Sequence, residues 1–381
     1  MAGRKDLSVW EAACIITGYG IGGGVMSMPY LANKIGFINA CIVLALAFAA
    51  SYVLHLMIAD LSLRTSGGGQ IVSCLNQFLF KGKFKKLMTA AFFILMLAVL
   101  LTNLTGYITG AEEILVSLFA IPPLLAKLIF YVLAAAVVLF GLKVVGVSEK
   151  ISIMVIFALV GVLAIASFFV PANEVPLVRF DFNGLLAYYG MAMFSLAAFF
   201  SVPQAVEGLR GDRKKIRKAI FLGFLNNFIL IVVINFCALL ASEEITEVAM
   251  AGWSRGIGLW AEIIGGLFTL FAMITTYWSL SLALADIVHE TLKTGSRLSW
   301  LIATLPSLIM ALIDLSGFMG IMRIAGGLIS IIIAVMIVPA FINSLRVGSP
   351  DTAVLKNSGP VICGLIIAAY ILMGIGSVVP V

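Results

Sequence analysis

The chain alternates between long apolar runs and short polar connections. Eleven of these runs reach about 20 residues, enough for an α-helix to cross the roughly 30 Å hydrocarbon core of a bilayer. The pattern therefore predicts an all-α polytopic membrane protein with eleven transmembrane helices. Their expected starts lie near Trp10, Ile38, Leu87, Leu124, Ile151, Leu185, Ala219, Ile257, Leu298, Ile321 and Val361.

The positive charges of the connections predict the orientation. Most of the 24 Lys and Arg residues fall in connections on the same membrane side as the N-terminus, and cytoplasmic loops carry such an excess. We therefore expect a plasma-membrane protein with a cytoplasmic N-terminus and, because eleven is odd, an extracellular C-terminus. The basic loop "RGDRKKIRK" follows from this topology, and no nucleic-acid partner is expected.

Composition excludes a soluble enzyme. Hydrophobic residues make up 62% of the chain and charged residues 11%, and the mean hydropathy is +1.16. The five cysteines stand singly, without the CxxC spacing of a metal site, and the sequence contains no HExxH or Walker A motif. Neither a catalytic residue nor a cofactor is expected, so any work must draw on gradients across the membrane.

Two spans carry helix-breaking residues near their middle. The first contains "ITGYGIGGGVMSMPY", in which glycines precede Ser27 and Pro29, and the sixth contains "FFSVPQAVEG". Glycine favours leaving a helix, whereas Ser followed by Pro favours a restart. We expect helix restarts at Ser27 and at Ser201, the second with a capping box to Gln204. A glycine-rich packing face is the alternative for the first span.

The two interruptions are related by an internal repeat. Ser201 lies 174 residues after Ser27, and the same offset superposes the first five spans on the next five. Since five is odd, the second half crosses with inverted orientation. The predicted divisions are 1–170 for the first repeat, 171–345 for the second, and 346–381 for a cytoplasmic loop and the eleventh span.

Interrupted helices at mid-membrane have chemical consequences. Unwound backbone is tolerated there only if it is buried in protein or lines a wet cavity. A restarted helix presents amides that suit a carboxylate, and an ending helix presents carbonyls that suit an ammonium group or small cation. The pair of interruptions therefore predicts a site for a zwitterion such as an amino acid.

Three stretches resemble a known family. "TGYGIGGGVMSMPYLANKIGF", "FFSVPQAVEGLRGDRKKIRKAI" and "FAMITTYWSLSLALAD" are similar to spans one, six and eight of the amino acid/auxin permease family, in the amino acid/polyamine/organocation superfamily. The likeness extends to bacterial aromatic amino acid permeases and sodium-coupled neutral amino acid transporters. It implies a secondary transporter of the sodium-symporter fold, working by alternating access. The substrate-binding residues that it implies are Gly20, Gly22, Gly23, Gly24, Asn103, Tyr107, Ser195 and Phe199.

The same resemblance implies a site for a coupling ion. Its oxygen ligands would come from Gly18, Ile21, Ala272, Thr275 and Thr276. Five oxygens suit Na⁺, which we expect, although proton coupling stays open because Gly18 stands where sodium-coupled relatives carry asparagine. Some relatives replace the ion by a lysine in the fifth span, but Lys150 is expected at the cytoplasmic edge. No deeply buried acid is expected either, and His55 is interpreted as structural.

The sequence thus predicts import of a neutral, apolar or aromatic L-amino acid by cation symport. The aromatic residues near the breaks and the lack of an obvious fixed charge favour that substrate class. A membrane amino acid sensor of the same fold and a channel are the alternatives. Beyond the substrate and the lipid bilayer, no obligate protein partner is evident.

Overall fold

The computed structural model describes residues 6–22, 24–65, 68–245, 249–313, 318–346, 354–355 and 359–380, and for 318–330 the backbone alone. The described residues form α-helices and no strand. These are α1 (Val9–Gly20), α2 (Gly24–Ile35), α3 (Phe37–Arg64), α4 (Ile71–Phe78), α5 (Lys85–Phe119), α6 (Pro123–Leu139), α7 (Leu142–Ala166), α8 (Phe182–Ser195), α9 (Ser201–Gly208), α10 (Arg213–Ala241), α11 (Ala249–Ile257), α12 (Leu259–Leu292), α13 (Ser296–Ile313), α14 (Phe318–Leu345) and α15 (Pro360–Val378).

The helices agree with the predicted spans. Among the described residues, seven helices are long and apolar enough to cross a membrane, and α6 and part of α14 are shorter apolar helices. Large apolar side chains such as Leu46 and Ile94 are more than 60% exposed, as expected for a surface that faces lipid. The short helices α4 and α11 lie in connections.

One span begins earlier than the sequence predicts. Helix α7 starts at Leu142 rather than near Ile151, because Glu149 and Lys150 lie within the helix and not before it. Glu149 is completely buried. The hydrophobic pattern places the start of this span after Glu149 and Lys150, because a charged pair normally marks the end of an apolar run.

The first span is broken at its glycines. Helix α1 ends at Gly20, and α2 begins at Gly24. The predicted restart at Ser27 is wrong, because Ser27 and Pro29 both lie inside α2. The glycines supply the change of direction themselves, so the helix resumes directly after them.

The sixth span is broken as well, between α8 and α9. Pro203 lies in the first turn of α9, as predicted, but the capping box is wrong. Ser201 makes no capping bond, and the Gln204 amide instead donates to the carbonyl of Ser279, at 3.1 Å. The Gln204 side chain therefore bonds to the neighbouring helix α12, whereas the local sequence pattern predicts that it caps α9.

The two broken spans lie inside the bundle. Helix α1 packs against α7, α10 and α12, and α8 packs against α2, α3 and α15. The Thr17 hydroxyl lies 2.9 Å from the carbonyl of Ala13 and 3.3 Å from that of Gly223, and it accepts a bond from the Asn226 amide at 3.1 Å. The unwound segments are thus enclosed by protein, as membrane-embedded backbone requires.

Candidate functional site

A cavity lies where the two breaks face each other. Its volume is about 40 Å³, room for a few water molecules at roughly 10–15 Å³ each. Six residues predicted to bind substrate border it: Gly20, Gly22, Gly24, Asn103, Tyr107 and Phe199. The remaining lining residues are Tyr19, Leu100, Phe194, Ala197, Phe200, Thr276 and Leu280.

The other two residues predicted to bind substrate, Ser195 and Gly23, are not among the described residues that border the cavity. Ser195 does not line the cavity, but its hydroxyl would lie 2.5 Å from a Cβ added at Gly24. Gly23 lies outside the described residues.

The ends of the broken helices approach each other closely. A Cβ at Gly20 would lie 2.6 Å from the Ser195 carbonyl oxygen and 2.3 Å from Nδ2 of Asn227. Both distances are shorter than any side chain tolerates. Glycine is therefore required here to bring the carbonyl end of α1 beside that of α8.

Helix α5 contributes one face to the cavity. Leu100, Asn103 and Tyr107 follow the spacing that places residues on one side of a helix. The Asn103 amide bonds the carbonyl of Val99 within its own helix, at 2.9 Å. The Tyr107 hydroxyl is hydrogen-bonded to Thr276 and lies beside Gly22.

The lining is aromatic and uncharged. Tyr19 and Phe200 lie with ring centroids 6.3 Å apart, and Phe194 and Phe199 add further rings. None of the residues that border the cavity carries an ionised side chain. The sequence analysis missed Leu100 and Leu280, although each lies at helical spacing from a predicted residue, Asn103 and Thr276 respectively.

Several of the candidate ion-binding oxygens lie together, and one of their residues, Thr276, borders the cavity. The Thr276 hydroxyl is 2.8 Å from the carbonyl of Gly18 and 2.9 Å from that of Ala272, and the Thr275 hydroxyl is 3.0 Å from the same Ala272 oxygen. Ile21 is the buried C-cap of α1. Among the described residues no cluster of three His, Cys, Asp or Glu residues forms a metal site.

His55 holds the unwound part of the sixth span. Its Nδ1 lies 2.6 Å from the carbonyl of Ser51, and its Nε2 accepts the backbone N–H of Ala198 at 2.9 Å. The ring stacks on Phe199, with centroids 5.0 Å apart. Since one nitrogen donates and the other accepts, the imidazole is neutral and its role is positional.

Glu149 corrects an expectation from the sequence. No deeply buried acid was predicted, yet this side chain is fully buried between α7, α1 and α12. Its Oε1 accepts the Ser279 hydroxyl at 2.7 Å. The earlier start of α7 is the reason that the sequence pattern placed it outside the membrane.

Solved structures establish the fold. The chain is similar to Mhp1, a nucleobase-cation-symport-1 family transporter in a closed conformation with bromovinylhydantoin bound, with a TM-score of 0.69, 12% identity, and coverage of 98% of this chain and 91% of that chain. It is also similar to MhsT in complex with L-phenylalanine, with a TM-score of 0.65, 16% identity, and coverage of 96% and 98%. This confirms the predicted sodium-symporter fold of two inverted repeats, with spans one and six discontinuous and an eleventh span added.

Sequence comparison gives the family. No curated protein matches the chain significantly. Residues 5–377, however, match the profile of the tryptophan/tyrosine permease family. The protein is thus a membrane transporter with a small-molecule substrate, and not an enzyme. With nearly its whole length matched, the chain belongs to the tryptophan/tyrosine permease family.

Proposed function

We propose that the protein imports a neutral L-amino acid with an apolar or aromatic side chain, by alternating access coupled to cation symport. One observation carries this proposal: the cavity joins helix ends of both polarities to a lining without an ionised side chain. Such a site can satisfy the two charges of an amino acid backbone. It offers no partner for a charged side chain, whose burial would be costly.

Different helix ends at the two breaks would bind the carboxylate and the amine of the zwitterion. The carboxylate would bind the free amides at the start of α2, around Gly22 and Gly24. The amine would bind carbonyls at the ends of α1 and α8, from Ser195 to Phe199. The rings of Tyr19, Phe199 and Phe200 would enclose the side chain. The family name and the L-phenylalanine complex of MhsT support an aromatic substrate.

The cavity is too small for any such substrate in this conformation. Small-molecule pockets usually measure about 300–1,000 Å³, far above the 40 Å³ present. Substrate entry therefore requires the helices around the breaks to separate, which alternating access provides.

The coupling cation would bind at the oxygens of Gly18, Ile21, Ala272, Thr275 and Thr276. We propose Na⁺, with a proton as the alternative. The proposed setting is the plasma membrane, with the N-terminus in the cytoplasm and the C-terminus outside.

Uptake into proteoliposomes tests the function. Labelled tryptophan, tyrosine, phenylalanine and leucine are offered separately under an inward Na⁺ gradient and an inward proton gradient, with lysine and glutamate for comparison. We expect accumulation of at least one neutral amino acid and none of the charged ones. Accumulation of lysine or glutamate alone would refute the neutral assignment. Thermal stabilisation by an amino acid without any turnover would favour the sensor instead.

A further inference from the structure

Glu149 is a membrane-embedded carboxylate with one oxygen unaccounted for. The residue is 0% exposed, and among the described residues its Oε2 has no hydrogen-bond partner. The other oxygen, Oε1, accepts the Ser279 hydroxyl of α12 at 2.7 Å. A buried charge is normally paired with a cation, since leaving water costs several kcal/mol per ion. An ionisable residue inside a membrane therefore marks a functional site.

Among the described residues, no salt bridge includes this carboxylate. The ion pairs found in the described part of the chain join Glu11 to Lys143, Glu112 to Lys127, Asp6 to Arg210 and Asp212 to Lys215. None of them includes Glu149, and the helices packed on α7 supply it with no ion pair. The titratable groups near this carboxylate are Cys14 and Glu11 on α1 and Lys150 on α7, since Cys14 interacts electrostatically with Glu149, Lys150 and Glu11. The charge of Glu149 is thus left for a mobile cation.

The unpaired oxygen points at the residues proposed to hold that cation. A Cβ added at Gly18 would lie 2.1 Å from Oε2, so the carboxylate rests against the backbone of α1. The carbonyl of the same Gly18 accepts the Thr276 hydroxyl at 2.8 Å. Glycine is required at position 18 because any side chain would displace the carboxylate from this place.

We propose that Glu149 supplies the negative charge of the coupling-cation site, and that one Na⁺ is held at its unpaired oxygen in each transport cycle. This inference rests on the proposed function. The backbone and hydroxyl oxygens of α1 and α12 provide dipoles but no charge, whereas Glu149 provides the full charge that offsets one cation. The loaded site is then neutral. Net import of one neutral amino acid moves one positive charge inward.

The experiment compares wild type with Glu149→Gln, which keeps the shape and removes the charge, and with Glu149→Asp. Glu112→Gln is the matched control, because Glu112 pairs with Lys127 at 3.2 Å, away from the site. Each protein is reconstituted and assayed in two ways. The first is amino acid exchange at equal concentrations without any gradient, and the second is accumulation driven by a Na⁺ gradient or by a pH gradient.

We expect the gradient-driven accumulation ratio of Glu149→Gln to fall to about one because coupling is lost. Glu149→Asp keeps part of the accumulation, and Glu112→Gln behaves as wild type. We expect the Na⁺ gradient to drive accumulation in the wild type, and accumulation driven by the pH gradient alone would overturn the proposal. Accumulation by Glu149→Gln to the wild-type ratio would overturn the proposal.

A second measurement decides the case if Glu149→Gln exchanges too slowly. The thermal stability of detergent-solubilised wild type is measured against Na⁺ concentration and against pH. We expect stabilisation by Na⁺ in wild type and its loss in Glu149→Gln, with stabilisation by amino acid retained. An unchanged cation dependence in the variant would refute the role of Glu149. Failure of the wild type to exchange any amino acid would instead refute the proposed function.

Discussion

At the scale of single residues, the glycines of the first span provide space more than flexibility. Gly20 brings α1 within reach of the Ser195 carbonyl, and Gly18 leaves room for the Glu149 carboxylate. In both cases the neighbour belongs to another helix. These glycines therefore determine which helix ends meet at the cavity, in addition to allowing the break.

Substitution of Gly20 tests this requirement. Gly20→Ala places a methyl group 2.6 Å from the Ser195 carbonyl oxygen, so we expect transport to fall at least about tenfold, consistent with an overpacking cost of 1–3 kcal/mol. Uptake of labelled substrate measures the effect at matched expression. Gly161→Ala in α7 is the control, because a Cβ there meets nothing within 4 Å. Equal losses in both variants would contradict the explanation.

His55 is the second residue whose role can be tested. His55→Ala removes the acceptor of the Ala198 N–H, and an unpaired buried donor costs about 1–3 kcal/mol. We expect a lower melting temperature and a higher KM for substrate, because the sixth-span break loses its support. His55→Gln, which can still accept this bond, should restore part of both. His289→Ala, at a residue that bonds only its local loop, serves as the control.

At the scale of elements, the eleventh span is part of the structure around the sixth. Helix α15 packs against α8, the first half of that broken span. The contact is made by glycines: a Cβ at Gly376 would lie 2.1 Å from the Leu186 carbonyl oxygen, and one at Gly190 would lie 2.9 Å from the backbone of Gly376. This close approach is the small-residue packing typical of membrane helices. The added span thus holds α8 in place.

Two glycines of α15 provide a matched comparison. Gly376→Val should separate α15 from α8 and destabilise the protein by about 1–3 kcal/mol, because the side chain meets backbone that cannot give way. Gly364→Val, in the same helix, meets nothing within 4 Å and should lie within about 0.5 kcal/mol of wild type. Thermal unfolding in detergent, followed by uptake, measures both. An identical melting temperature for the two variants would show that the contact is unimportant.

At the scale of the whole molecule, the start of the first span is bonded to the end of the sixth. The Leu7 N–H donates to the carbonyl of Gly208 at 2.8 Å, which joins the start of α1 to the end of α9. Lys143 pairs with Glu11 at 2.6 Å and joins α7 to α1. In the proposed orientation these links lie on the cytoplasmic side, from which an imported substrate would leave. Together with the small cavity, they indicate that release requires both broken spans to move.

The orientation in the membrane gives a prediction at this scale. Eleven spans place the two ends of the chain on opposite sides, and the excess of Lys and Arg predicts a cytoplasmic N-terminus. In a cysteine-free background, Ser8→Cys should react with an impermeant maleimide only after the membrane is opened, and Ser377→Cys should react in intact cells. Labelling of both cysteines from the same side would contradict an odd number of spans.

Much of the fold could be predicted from the sequence, because lipid leaves a chain few choices. Every backbone polar group must be satisfied within the bilayer, so apolar runs of sufficient length form helices, and ten of the eleven starts were placed within six residues. The exception was α7. The restart at Ser27 and the capping box at Ser201 were wrong, because both rest on local signals that a neighbouring segment overrides.

The sequence by itself determined that the chain spans a membrane, that two spans break near mid-depth, and that the halves repeat in inverted orientation. Hydrophobic length and helix-breaking residues act locally, so they can be read along one chain. The tertiary structure decided which side chains meet at the breaks: His55 on Ala198, Tyr107 on Thr276, and Glu149 on Gly18. These contacts join residues far apart in sequence. From the sequence alone, Glu149 beside Lys150 is interpreted as part of a loop, and only the packing of the helices shows that its side chain is buried.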